Sequence, residues 1–274
     1  MNATEFAPSE LISISPAAPP RRARVDALLA PLFETAADSA SLLGSRHEVT
    51  VAGIESAIPK FMLLGQRGGE KPIRLALLAA PNQPSLDGVA ALARLFLQFE
   101  LNPGLAKDYA LFGYPIVDAA ELDLAEASAG QFEERLARKP ADGDVDYLRA
   151  EFQKWDFDGI VTLRTDPVAK GIHAEVRSAV IGREVVAPAL AAAARSASLP
   201  AESIRYASPD SGSWHSALGT LGAPSRGRKK SGPFEITLFA PGAASEEERI
   251  RALFLAAHEI LRNYRALISH AQHL

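Results

Sequence analysis

The sequence predicts a single α/β domain in which a mixed sheet lies between two layers of helices. Three observations carry that prediction. Apart from Arg74, the run Ile73–Ala80 is apolar, as expected of a strand covered on both faces, and a polar turn and an amphipathic helix follow it. Strand-like and helix-like patterns alternate along most of the 274 residues, with strand–strand pairs near the two ends. No internal repeat divides the chain.

Composition narrows the function classes. An apolar fraction of 47% and a charged fraction of 23% are those of an ordinary globular protein. The net charge of −4 gives no general attraction to nucleic acid or to an anionic membrane, so neither is expected as a partner. The absence of cysteine excludes disulfides, a thiolate nucleophile and cysteine-ligated metal. The N-terminal stretch lacks the basic start and apolar core of a secretory signal, and no run approaches the ~20 apolar residues of a membrane span. A soluble, cytoplasmic protein is the expectation.

Taken in order, residues 1–20 are rich in Ala, Pro and Ser and are expected to be extended or partly disordered, leaving 21–274 as one domain. Val25, Leu28, Leu29, Leu32 and Phe33 recur at helical spacing, which predicts a helix from Arg21 to about Leu43, ending at Gly44. His47–Ala52 and Pro59–Leu64 read as adjoining strands, and Ile73–Ala80 as the next. The helix after the polar turn buries Leu92, Leu95, Phe96 and Phe99 and is stopped by Asn102-Pro103-Gly104. Tyr109–Val117 reads as a strand, and helical patterns follow over about 121–138 and 145–155. Ile160–Leu163 and Ile172–Val176 read as strands, with Thr165-Asp166-Pro167 as a turn. A helix of small residues over 181–197 is expected to bend near Pro188. Residues 208–232 form a long loop-like stretch, Phe234–Phe239 a last strand, and Ser245-Glu246-Glu247-Glu248 a well-formed helix start.

Several short motifs then resemble one family. The strand Leu75–Ala80, the turn Asn82-Gln83-Pro84-Ser85-Leu86-Asp87-Gly88 and the helix Val89–Phe99 are similar to the His-x-x-Glu unit of the zinc carboxypeptidases and of the succinylglutamate desuccinylase and aspartoacylase group. Tyr114-Pro115-Ile116-Val117-Asp118 resembles that family's Pro-x-x-Asn-Pro strand end. Asp158 to Asp166 resembles the strand that ends in its third zinc ligand, and Thr237-Leu238-Phe239-Ala240-Pro241 is similar to its Thr-x-Glu-x-Pro. The resemblance covers roughly residues 49–268 and implies a three-layer α/β/α fold with a mixed, about eight-stranded sheet.

The departures bear on chemistry. Where the family implies two zinc ligands, a third ligand and a general base, this chain has Asn82, Ser85, Arg164 and Phe239. Catalytic zinc is held by three imidazole or carboxylate groups, and a guanidinium offers no lone pair while repelling a dication. Without a Glu, nothing takes the proton of an attacking water. The expectation is therefore a carboxypeptidase-like pseudoenzyme with no catalytic residues and no zinc or other cofactor. A small carboxylate or a peptide end would bind in a remnant cleft lined by Asn82, Ser85, Asp87, Arg164, Trp214, His215 and Phe239. Two alternatives stand beside it. One is an active hydrolase of the carboxypeptidase or N-acyl amino acid deacylase type, its site rebuilt around His173 or His215 with an acidic partner; the other is a structural role in a homo-oligomer.

Remaining candidates read as structural. His270 and His273 have metal-binding spacing but no carboxylate partner, and His258 lies within an amphipathic helix. Arg21-Arg22-Ala23-Arg24 and Arg226-Gly227-Arg228-Lys229-Lys230 read as solvated basic clusters. Gly65-Gln66-Arg67-Gly68-Gly69 precedes a strand, whereas a phosphate loop opens a helix.

Overall fold

A computed structural model describes residues 20–51, 53–66, 71–79, 85–118, 143–207 and 234–272. Among these, helices α1 (Arg21–Asp38), α2 (Asp87–Leu101), α3 (Gly143–Trp155), α4 (Ala187–Ala197) and α5 (Glu246–Gln272) flank eight strands. The strands are β1 (Leu42–Val51), β2 (Ile54–Leu64), β3 (Ile73–Ala79), β4 (Tyr109–Tyr114), β5 (Gly159–Asp166), β6 (Ile172–Val176), β7 (Ala201–Tyr206) and β8 (Phe234–Pro241). They form one sheet in the order β1-β2-β4-β3-β5-β8-β6-β7, confirming the eight-stranded mixed architecture.

The centre of the sheet, β4-β3-β5-β8, is parallel. Antiparallel pairs lie outside it, β1 and β2 to β4 on one side and β6 to β8 on the other. β1 and β2 make a hairpin in register from Leu42↔Leu63 to Val51↔Ile54, turning at Gly53 with a φ of 81°, a left-handed value that suits glycine.

Alternation along the strands divides the core in two. Leu75, Leu77 and Ala79 of β3 and Val161 and Leu163 of β5 pack on one face with α1, α2, α4 and α5. Ala76 and Leu78, with Phe112, Tyr114 and Ile160, meet Val145, Leu148 and Phe152 of α3 on the other.

Several boundaries differ from those expected. α1 stops at Asp38 rather than near Leu43, because Leu42 and Leu43 begin β1. An apolar pair fits either period, and here pairing with Leu63 and Met62 in β2 decides. β5 runs on through Thr165 and Asp166, which were read as a turn. β4 ends at Tyr114, short of Val117. The expected bend near Pro188 is instead a five-residue π segment, Gly182–Val186, between the short turn Ala179–Ile181 and α4. β7 was not anticipated: it is an exposed edge strand and carries little apolar signal. The expected helix over 121–138, the long stretch 208–232 and the segment 1–19 lie outside the described residues.

Candidate functional site

The chain passes from β3 to β4 on one side of β3, then returns to β5 on the other. The connections diverge there, and such a reversal leaves a crevice at the carboxyl ends of the strands where open α/β sheets take ligands. Two groups of polar side chains meet at this edge, on opposite faces.

On the α2 face, Asp87 is 1% exposed. Its Oδ2 accepts hydrogen bonds from Ser85 Oγ at 2.8 Å, Thr165 Oγ1 at 2.8 Å and Arg249 Nε at 2.6 Å. Arg249, in the first turn of α5, also donates through Nη1 to the carbonyl of Ala244 at 2.5 Å. The start of α2 lies hard against β5: a Cβ on Gly88 would stand 2.7 Å from the carbonyl oxygen of Leu163. The carboxylate of Asp87 is thus committed to the protein's own donors.

On the α3 face, the ladders set Arg164 opposite Phe239 and Phe239 opposite His173. The Arg164 guanidinium carbon lies 6.0 Å from the Phe239 ring centroid, within cation–π range. The His173 imidazole stacks on the same ring at 4.7 Å and 9°. His173 is fully buried; its Nε2 is 3.5 Å from Asp166 Oδ2, and its Nδ1 is 4.0 Å from Glu202 Oε2. Glu202 in turn accepts from the backbone N–H groups of Lys170 and Gly171, fixing the β5–β6 connection. Below this row, Thr162, Thr237 and Glu175 stand in register on the same face. Inner strands of parallel sheets are ordinarily apolar on both faces, so these buried polar positions make this edge a candidate site. The alternation Glu235-Ile236-Thr237-Leu238 in β8 was the sequence signal for it.

Of the residues expected to line the cleft, Ser85 and Asp87 join one group, and Arg164 and Phe239 the other. Asn82, Trp214 and His215 lie outside the described residues. Arg249 and Thr165 were missed, since a cation far along the chain has no local signature.

Among the described residues, the donor set does not fit zinc. Ser85 Oγ bonds to Asp87 and lies 3.2 Å from Thr165 Oγ1, and Arg164 offers no lone pair. Among the described residues, no group of three or more His, Asp or Glu side chains is placed to hold a metal ion. What the edge does offer is a guanidinium, which suits a carboxylate, beside an aromatic ring that cannot accept a proton.

No family model matches the sequence, and no curated protein matches it either. Solved structures do. A metallo-carboxypeptidase from Burkholderia cenocepacia superposes with a TM-score of 0.63 at 14% identity over 89% of this chain and 69% of that one. A metallo-carboxypeptidase from Pseudomonas aeruginosa, in complex with (2-guanidinoethylmercapto)succinic acid, gives 0.57 at 13% identity over 85% and 67%. An aspartoacylase family protein from Mesorhizobium loti gives 0.52 at 14% identity over 80% and 68%. At such identities the likeness is one of architecture, and the chain has the α/β fold that these metallo-carboxypeptidase and aspartoacylase-family structures share.

Proposed function

We propose that this chain is a non-catalytic protein of carboxypeptidase-like fold that binds a small carboxylate or a peptide end at the carboxyl edge of β3, β5 and β8. The pairing of Arg164 with Phe239 across the β5–β8 ladder carries the reading. By resemblance these two positions belong to a zinc ligand and to a general base. A fixed cation and a hydrocarbon ring can hold an anion, but neither activates water: water not bound to a metal keeps its pKa of about 15.7. Arg164 takes the ligand carboxylate, and Phe239 walls the site. The dicarboxylic acid bound by the Pseudomonas aeruginosa neighbour supports a carboxylate as the ligand.

The test uses tag-free protein. It should contain no stoichiometric zinc, turn over neither hippuryl nor N-acyl amino acid substrates, and bind hippurate saturably by calorimetry. Arg164→Met should weaken that binding by about 10- to 100-fold, the worth of a hydrogen bond to a charged group. Stoichiometric zinc together with turnover overturns the proposal.

The contact between His173 and Asp166 favours a second reading, a hydrolase with His173 as base. Metal-free turnover that is abolished in His173→Gln and retained in Arg164→Met would establish it. Full burial of His173 weighs against that outcome.

A further inference from the structure

The site depends on three strand ends holding their places: the approach to α2 after β3, the end of β5 carrying Arg164, and the end of β8 carrying Phe239. One buried ion pair touches all three. Asp87 Oδ2 takes Ser85 and Asp87's own partner on β5, Thr165, the residue next to Arg164. Arg249 closes on the same oxygen through Nε, reaches Asp87 Oδ1 with Nη2 at 3.4 Å, and turns Nη1 to the carbonyls of Ala244 and Gly242 at 2.5 and 3.5 Å. Those carbonyls belong to the turn that follows β8. The backbone of that turn is also tied to β5, Gly242 N–H donating to the Asp166 carbonyl at 2.7 Å. The side chains are 17% and 2% exposed, so the pair works in a largely desolvated setting where its geometry is strictly held.

We propose that Asp87 and Arg249 form a clamp that sets the spacing of the three strand ends, making Arg249 a positioning residue for carboxylate binding although it lies on the face opposite Arg164. The proposal rests on the carboxylate-binding reading above for its affinity arm alone. The forked guanidinium is essential to it: a lysine keeps the charge but supplies neither the planar fork nor the simultaneous reach to Asp87 and to the turn carbonyls.

The discriminating experiment is amide hydrogen exchange on the full chain, run beside hippurate titration, for Arg249→Met, Arg249→Lys, Asp87→Asn and a control. The control is Arg94→Ala, which breaks the exposed forked pair with Glu247 joining the same two helices, at 3.0 and 3.3 Å. In Arg249→Met and Asp87→Asn, exchange should speed by about tenfold or more at Ser85–Ala90, Arg164–Val168 and Gly242–Ala244 while the inner strands stay protected, as local opening requires. Arg249→Lys should resemble Arg249→Met, and Arg94→Ala the wild type. Hippurate affinity should fall about tenfold in the clamp variants with Arg164 intact. Exchange that rises uniformly over the chain, or that stays unchanged at those three segments, overturns the clamp. If wild-type protein fails to bind hippurate while exchange rises at the three ends only, the clamp stands and the carboxylate reading falls.

Discussion

Lys60 and Glu151 show how much one buried contact can carry. Lys60 projects from β2 and pairs with Glu151 of α3, their side chains being 14% and 10% exposed. The same carboxylate oxygen accepts from Tyr114 Oη and Trp155 Nε1, each at 3.0 Å. Burial opposes the charge on Glu151, but Lys60, Tyr114 and Trp155 outweigh it and hold the carboxyl below its ordinary value. A depressed folded pKa adds stability that is present above the unfolded value near 4.5 and is lost as pH falls through the folded one. Lys60→Met leaves the anion buried without its cation, held only by Tyr114 and Trp155, and should cost about 3 kcal/mol at pH 7 by urea unfolding. Its deficit should shrink on acidification, because protonation then removes an uncompensated charge. Legibility at this scale was uneven. Arg164 and Phe239 were found as oddities within strand motifs, whereas Arg249 sits among ordinary helix charges and meets its partner 162 residues away.

Elements were legible where packing and local preference agree. Ser245 and Glu248 form a reciprocal cap at the start of α5, Ser245 N–H and Oγ both donating to Glu248 Oε2, as the acidic cluster there suggested. Ile73–Ala79 is the strand that its largely apolar run predicts, and Ile172–Val176 is a strand as expected. β7 escaped because an edge strand need bury nothing, and α1 was overextended because strand pairing outweighed a continuing apolar period. The π segment before α4 was illegible for another reason: its support comes from a different helix. The side chain of Asn263 in α5 donates Nδ2–H to the carbonyl of Val185 at 3.1 Å, satisfying a group inside the widened turn. Asn263→Leu should remove that donor and lower stability by about 1–3 kcal/mol in thermal or urea unfolding, without changing hippurate affinity.

For the whole molecule, alkali is an informative stress. Burial, with Asp158 adding to it, pushes the Tyr264 phenol up to about 12, and burial also raises Tyr109, Tyr114 and Tyr147. A raised folded pKa gives stability that is complete below the unfolded value of 10 and is lost as pH climbs through the folded one. Phenolate absorbance from these four tyrosines should therefore rise together with loss of helical circular dichroism above pH 10, rather than ahead of it. No described helix is long and apolar enough to cross a membrane.

The pairing of Asp87 with Arg249 also fixes an order of events during biosynthesis. Chains leave the ribosome amino end first, so Asp87, Ser85 and β5 are made well before their cation, which follows 162 residues behind Asp87. Until α5 emerges, a nascent chain carries a carboxylate destined for the interior with nothing to neutralise it. The proposed clamp therefore forms only once α5 has been made.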